Sequence, residues 1–80
     1  MKARVYVTLK EEVLDPQGDA VRRSLGSLGF EGIGRVRVGK LVEIDLSGVD
    51  RAAAEGELQA MCEKLLVNPV IEDFRFELEG

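Results

Sequence analysis

The sequence predicts an α+β fold of two layers, in which two helices cover one face of a four-stranded, mostly antiparallel sheet. Apolar and polar residues alternate in four short segments, which is the period of a strand with one buried face. Apolar residues recur at helical spacing in two longer segments, and the six segments follow one another in the order βαββαβ. No linker or low-complexity tract interrupts the 80 residues, so we expect a single domain over residues 1–80.

The first strand and the first helix are separated by a change of period near residue 15. Alternation predicts the strand from Ala3 to Leu9. Asp15 and Pro16 predict a helix start, because the carboxylate caps free amides and proline at the first helical position loses no hydrogen bond. Gly29 predicts the end of this helix. Its apolar residues fall within an arc of about 140°, and they are Ala20, Val21, Leu25 and Leu28.

The middle of the chain predicts a tight β-hairpin. Arg35–Val38 and Leu41–Leu46 both alternate, and only Gly39 and Lys40 lie between them. Glycine at the first of two central positions fits a type II′ turn, whose positive φ glycine adopts at little cost. The residues predicted to face inward are Val36, Val38, Val42, Ile44 and Leu46. The charged residues of the other side are Arg35, Arg37, Glu43 and Asp45, which places opposite charges across the hairpin.

The last third of the chain predicts a longer helix and a final strand. Asp50 is the expected cap of a helix from Arg51 to about Leu66. Its apolar stripe contains Ala54, Leu58, Met61 and Leu65, with Cys62 at the edge. Pro69 disfavours helical geometry at the residue before it and ends the helix. Alternation then predicts a strand over Glu72–Glu79.

This order of elements is typical of ferredoxin-like folds, which leave one face of the sheet uncovered. The residues expected there are Arg4, Tyr6, Arg35, Arg37, Glu43, Asp45, Arg75 and Glu77. Such a face either meets water or packs against the sheet of a second copy. A chain of this length buries only about 60% of the surface of its unfolded form, and one cysteine cannot form an intrachain disulfide. We therefore expect a dimer.

Composition argues against nucleic acids and membranes as partners. Eleven Lys and Arg against 15 Asp and Glu give a net charge of -4, with the two signs interleaved along the chain. A nucleic-acid binder needs a basic stripe and stacking aromatics, and this chain has four aromatic residues in all. No apolar run approaches the length of a membrane span, and the first residues lead into a strand rather than a signal-peptide core. With one unpaired thiol, we expect the cytoplasm.

The sequence contains few residues suited to catalysis. Histidine is absent, and Cys62 is expected to be an inert core residue because it lies on an apolar helix edge. The carboxylates are spread over turns and outer faces, with no spacing typical of a metal site. The nine glycines form neither a phosphate-binding loop nor a dinucleotide fingerprint. We expect no catalytic residue and no metal ligand in this chain.

Two segments are less generic. In Val13–Gly18, helix capping explains Asp15 and Pro16 but leaves the polar Gln17 and the costly Gly18 unexplained. Gly18 predicts the close approach of another backbone. Met61–Phe74 joins a core helix to a final strand through an abrupt Asn-Pro turn, for which ordinary helix termination is the alternative interpretation.

With Val36–Lys40 between them, these segments closely resemble the PurS family, the small subunits of bacterial and archaeal phosphoribosylformylglycinamidine synthase. The matching stretches are LDPQG (Leu14–Gly18), VRVGK (Val36–Lys40) and MCEKLL-NPVIEDF (Met61–Phe74). They recur in that family in the same order with similar spacing, and the resemblance covers essentially the whole chain. A departure is Glu11-Glu12, where the family has a Pro- or Gly-containing pair.

The resemblance implies a role in de novo purine biosynthesis. That enzyme complex converts formylglycinamide ribonucleotide to the amidine, using ATP, Mg and glutamine. The large subunit PurL carries out the ATP-dependent amidation, and the glutaminase PurQ releases ammonia. The small subunit dimerises, bridges the other two and helps ammonia pass between their sites, while binding no cofactor itself. The candidate subunit-interface residues are Leu14, Asp15, Pro16, Gln17, Gly18, Arg37, Lys40, Asn68 and Pro69.

Two other classes of function compete with this interpretation. A free-standing regulatory module would bind a small metabolite between dimerised sheets, with the loop up to Gly18 as the lip of the ligand site. An acylphosphatase-like enzyme would need an arginine in a phosphate-cradling loop after the first strand. Glu11, Glu12 and Asp15 put the wrong charge there.

Overall fold

The computed structural model describes residues 1–80 and contains one three-stranded antiparallel sheet and two helices. The strands are β1 (Lys2–Leu9), β2 (Gly39–Asp45) and β3 (Glu72–Glu79). The helices are α1 (Pro16–Ser27) and α2 (Arg51–Met61), and a π-helical turn, Cys62–Leu66, continues α2. The strand order is β2-β1-β3, so the first strand lies at the centre of the sheet. No helix is both long enough and apolar enough to cross a membrane.

The core lies between one face of the sheet and α2. Ala3, Val5 and Val7 of β1 are at most 1% exposed, as the alternation of this strand predicts. Leu58 and Cys62 of the helical layer are fully buried against them, which confirms that Cys62 is a core residue. Partly buried side chains complete the core, and they are Val42, Ile44, Leu46, Met61, Leu66, Phe74, Phe76 and Leu78.

The predicted start and end of the second helix are confirmed, but one position of its apolar stripe is wrong. Asp50 caps α2 by accepting a hydrogen bond from the amide of Ala53 at 2.8 Å. The helix ends in a wide turn, in which the amide of Val67 bonds back to the carbonyl of Cys62 at 3.1 Å. Each residue of a π-helical turn advances by a smaller angle than in an α-helix. Leu65 consequently points to solvent, 83% exposed, although the α-helical period places it on the core side.

The predicted hairpin at Gly39 and Lys40 is wrong, and with it the fourth strand. Residues 35–38 form no strand, and Gly39 instead begins β2 opposite Thr8. Gly39 has no positive φ, as a type II′ turn would require. The reason is that β1 pairs with β2 on one side and β3 on the other, so residues 35–38 continue past the last β1–β2 pair with no strand beside them. A β-carbon on Gly39 would overlap the carbonyl oxygen of Val7, so this glycine serves close packing rather than a turn.

The ends of α1 agree with the sequence, but its predicted packing does not. Asp15 caps the first turn, and the amides of Gly29 and Phe30 bond back to the carbonyls of Gly26 and Leu25 in the glycine-terminated motif expected here. Gly29 has φ +94°, which favours glycine. The prediction that both helices cover one face of the sheet is wrong, because α1 buries only Gly18. The helix extends away from the sheet, and no two-helix ferredoxin-like layer forms within this chain.

The second face of the sheet is uncovered and polar, as predicted for Arg4, Tyr6, Glu43, Arg75 and Glu77. Arg4 lies opposite Glu43 on one side and Glu77 on the other. The predicted pairing of Glu43 with the arginines of a hairpin is therefore wrong. The guanidinium of Arg75 lies 4.0 Å from the centre of the Tyr6 ring, and the Tyr6 hydroxyl donates to Glu77 at 3.2 Å. Exposed pairs of this kind each contribute little to stability. Ion pairs of the same face join Lys2 and Arg4 to Glu43, Arg4 to Glu79, and Arg75 to Glu77.

Candidate subunit-contact site

The three sequence segments that resemble the PurS family converge at the carboxyl end of β1. Asp15 lies at the centre of this cluster, only 7% exposed. One carboxylate oxygen accepts a hydrogen bond from the amide of Gly18 at 2.8 Å, and the other accepts from the amide of Val38 at 2.9 Å. Asp15 therefore fastens the start of α1 to the segment that precedes β2, residues 35–38. Capping, which the sequence predicts, is only half of its role.

Arg37 fastens the same segment to the end of β1. Its guanidinium donates to the carbonyl oxygen of Leu9 and, at 3.1 Å, to that of Lys10. Its Nε lies 3.8 Å from the carboxylate of Asp15 and has no hydrogen-bond partner of its own. Arg35 adds a bond of 2.6 Å to the carbonyl of Glu11. We call these residues, Leu9–Glu11, Asp15, Gly18 and Arg35–Val38, the clamp.

Gly18 is in the clamp because another backbone comes close to it, which confirms its sequence prediction. A β-carbon at this position would overlap the carbonyl oxygen of Val36 and would lie 2.8 Å from the Oδ2 atom of Asp15. The approach brings residues 35–38 against the first turn of α1. No side chain other than hydrogen fits there.

The Asn68-Pro69 turn meets the clamp through Lys10. The amide of Lys10 donates to the carbonyl of Ile71 at 2.8 Å. The Asn68 side chain accepts from the amide of Val70 at 3.0 Å, and the backbone amide of Asn68 donates to the Glu72 carboxylate at 2.8 Å. This turn thus lies beside the loop that follows β1. The Asn68-Pro69 turn therefore both ends the helix and lies beside the clamp.

The candidate interface residues divide into buried and exposed groups. Asp15 and Gly18 are buried and Arg37 is half-buried, so these three are structural parts of the clamp. The exposed candidates are Leu14, Pro16, Gln17, Lys40, Asn68 and Pro69. Leu14 and Val70 are 74% and 79% exposed, which is unusual for large apolar side chains. Large apolar side chains therefore lie exposed around the clamp.

Sequence reasoning missed Arg35, Lys10 and Ile71, which hold the three segments together. Two of them act through backbone atoms, which no residue pattern marks. The sequence does contain a signal for Arg35. It is one of two arginines, two residues apart, beside the end of a strand, and arginine side chains are long enough to reach backbone carbonyls there. The alternation places it on the open face of the sheet, where it does not lie.

Two buried ionisable groups, Asp15 and Cys62, have shifted pKa values. The amides of Gly18 and Val38, and then the guanidinium of Arg37, hold the pKa of Asp15 below its ordinary value despite burial. Burial, with a smaller effect of Glu63, raises the pKa of the Cys62 thiol, so it is protonated at neutral pH. No three His, Cys, Asp or Glu side chains lie together as a metal site would require. Asp15, which stays charged, and Cys62, which stays protonated, are therefore suited to structural roles rather than to acid-base catalysis.

The metabolite-binding hypothesis placed the lip of a ligand site at the loop up to Gly18. Three grooves are present, on α1, on the polar sheet face beside Tyr6, and between β2 and α2. Residues 14–18 line none of them. The carboxylate of Asp15 is occupied by its own chain, and no observation favours this hypothesis.

The lowered pKa of Asp15 predicts acid-sensitive stability. A depressed folded-state pKa stabilises the fold above the unfolded value, about 3.9, and this contribution is lost as the pH falls through the folded-state pKa. We expect the free energy of unfolding of Asp15→Asn to be lower than wild type at pH 7, because the new amide group faces the donor of Val38. The difference should shrink between pH 5 and pH 2, measured by urea unfolding across that range with pH set in steps.

Glu43→Gln is the control for this measurement. The pKa of Glu43 is also lowered, by Lys2 and then Arg4, but Glu43 lies outside the clamp. Glu43→Gln removes two exposed ion pairs, with Lys2 and Arg4, and leaves the clamp intact. An Asp15→Asn deficit that stays constant across the acid range would contradict the role of the charged carboxylate.

Fold and clamp together define a small α+β domain in which exposed apolar side chains surround a cluster of paired charges. Comparison with known proteins identifies its family. Residues 2–80 match the PurS family, described as phosphoribosylformylglycinamidine (FGAM) synthase. The chain is 49% identical over 78 residues to the PurS subunit of Bacillus subtilis, covering 98% of this chain and 92% of that one.

Solved structures agree with this match. A Bacillus subtilis PurS structure has a TM-score of 0.86 at 48% identity, covering 99% of this chain and 98% of that one. The structure of PurLQS from Thermotoga maritima contains a chain with a TM-score of 0.87 at 28% identity, covering 95% of this chain and 93% of that one. The chain belongs to the PurS family of phosphoribosylformylglycinamidine synthase subunits.

Proposed function

We propose that this chain, as a single PurS-like domain, is the non-catalytic bridging subunit of a phosphoribosylformylglycinamidine synthase. It joins the glutaminase PurQ to the amidating subunit PurL in the cytoplasm and assists the transfer of ammonia between them. The observation that carries this proposal is the match to the PurS family over residues 2–80. ATP, Mg and glutamine are used by the two larger subunits.

The clamp supports a bridging role because it presents contacts while keeping its own charges occupied. Asp15 and Arg37 bond to backbone groups of their own chain and hold three segments in one arrangement. The exposed side chains beside them belong to Leu14, Gln17, Asn68 and Pro69. We assign the contact with a larger subunit to this surface. A preformed surface costs less ordering on binding than a flexible one.

Self-association is the second part of the proposal. Apolar side chains of α1 and of the residues that follow it are uncovered. Among them are Val21, Leu28 and Phe30, which are 39%, 74% and 57% exposed. An isolated chain gains stability by covering such groups. A homodimer also gives the bridge two equivalent contact surfaces.

Reconstitution with the PurL and PurQ of the same organism tests the bridging function. We expect glutamine-dependent formation of the amidine to require this chain, because ammonia released at one subunit must reach the other. Turnover with added ammonia should be nearly unchanged by omitting the chain, since PurL alone performs the amidation. Equal glutamine-dependent rates with and without the chain would contradict the proposal.

A further inference from the structure

Residues 16–34 form an arm that lies outside the core of the molecule. The arm consists of α1 and the loop that follows it, and Gly18 is its only buried residue. None of its apolar side chains belongs to the hydrophobic core or packs against it. Helix α1 makes no extensive contact with the sheet or with α2. Beyond the first turn of α1, residues 20–34 form hydrogen bonds only within the arm.

The clamp attaches the arm to the sheet, and it holds the arm at both ends. At the first end, the Asp15 carboxylate accepts a hydrogen bond from the amide of Gly18 at 2.8 Å. At the other end, the same carboxylate accepts from the amide of Val38 at 2.9 Å. Arg37 joins this second end to backbone carbonyl oxygens at the end of β1 and just after it. One carboxylate thus closes a loop whose ends are 23 residues apart.

The contacts of the clamp are close-packed around this one carboxylate. Asp15 is only 7% exposed. At Gly18, the carbonyl oxygen of Val36 comes so close that a β-carbon would overlap it. The Nε atom of Arg37 is buried 3.8 Å from the Asp15 carboxylate. Because these contacts share one carboxylate and one close approach, we expect them to form and break together.

The arm and the sheet are stabilised by different interactions. The sheet and α2 share a core in which Val5, Val7 and Leu58 are at most 1% exposed. The arm has no such core, and segments with few buried apolar contacts open at a lower free energy than the core of the same protein. Holding the two ends of a loop together also costs conformational entropy, which the bonds of the clamp offset here. The arm should therefore open before the sheet does.

We propose that the clamp is a latch, and that the arm opens as one unit when Asp15 and Arg37 release residues 35–38, while the sheet and α2 stay folded. In the closed state the latch fixes the direction of α1 relative to the sheet. In the open state α1 loses its attachment within the chain. A helix of 12 residues is marginal in water on its own, so its amides then exchange with solvent. This inference does not depend on the bridging function.

Hydrogen exchange followed by mass spectrometry tests the latch in the intact chain with Asp15→Ser. Serine caps a helix about as well as aspartate, but its single oxygen cannot reach the amides of both Gly18 and Val38, which bond to different oxygens of the carboxylate. The quantity compared is the exchange rate of residues 20–28 divided by that of β1, so a general loss of stability does not raise it. We expect this ratio to rise about tenfold or more, the factor that the loss of one hydrogen bond to a charged group gives. Protein concentration is varied, because protection by self-association depends on it and protection by the latch does not.

Asp50→Ser is the matched control, because the side chain of Asp50 caps α2 through the amide of Ala53 alone and holds no second segment. It should not raise the ratio. Wild-type exchange rates in both segments of Asp15→Ser would overturn the latch and leave Asp15 as a helix cap. Equal acceleration of residues 20–28 and β1 would overturn it as well, because the arm and the sheet would then open as one unit.

Discussion

Replacing Leu58 by alanine should lower the free energy of unfolding by about 2–5 kcal/mol. Leu58 is fully buried, and it packs in the cluster that contains Val5, Val7 and Cys62. The change removes three buried carbon atoms and leaves a cavity that a small sheet and one helix cannot easily close. Because domains of this kind are stable by only about 5–15 kcal/mol in total, the loss is large enough to populate the unfolded chain.

Urea unfolding followed by circular dichroism measures this loss, with Leu14→Ala as the matched control. Leu14 undergoes the same chemical change but is 74% exposed, so its effect should stay within about 0.5 kcal/mol. Equal losses for the two variants would show that the helical layer is not the core of the fold. The comparison should be made at constant protein concentration, since self-association adds to apparent stability.

The second large effect is expected at Gly18, where helix propensity and packing predict opposite signs. Alanine in place of a helical glycine normally stabilises by about 0.5–1 kcal/mol. At this position the new β-carbon would overlap the carbonyl oxygen of Val36 and come within 2.8 Å of the Asp15 carboxylate. Forced overlap costs about 1–3 kcal/mol, so we expect Gly18→Ala to destabilise. The obstacle is backbone held by the clamp, which cannot rotate aside as a side chain does.

Gly26 is the control for this variant because it lies in the same helix, and a β-carbon added there would meet nothing within 4 Å. Gly26→Ala should therefore be stabilising or neutral in the same unfolding assay. If both variants behaved alike, the close approach at Gly18 would not constrain the chain.

Most element boundaries were predictable because they depend on local chemistry. Asp15 and Asp50 cap helices through their own side chains, and Gly29 ends α1 through its own φ. The alternation of β1 and β3 reports a sheet with one buried face, and both strands lie where the sequence puts them. Signals of this kind lie within a few residues of the feature that they determine.

The hairpin and the placement of α1 were not predictable in the same way. Alternation at residues 35–38 predicts a strand, but whether a segment becomes a strand depends on a distant partner, and none pairs with these residues. The amphipathic pattern of α1 likewise indicates which side of the helix is apolar. It does not say whether the surface that covers this side belongs to the same chain.

The candidate site shows the same division. The close approach at Gly18 was predictable because a glycine in a first helical turn is costly unless something requires it. The double role of Asp15 was not, since its carboxylate accepts a second hydrogen bond from the amide of Val38, 23 residues away. Arg37 was expected on the sheet face, but it turns to backbone carbonyls at the end of β1.

The bridging function is tested most directly by the ratio of glutamine-dependent to ammonia-dependent turnover of the two larger subunits, measured with and without this chain. The chain should raise that ratio severalfold by acting on the glutamine-dependent rate and leaving the ammonia-dependent rate nearly constant. A ratio that does not change when the chain is added at saturating concentration would contradict a bridging subunit.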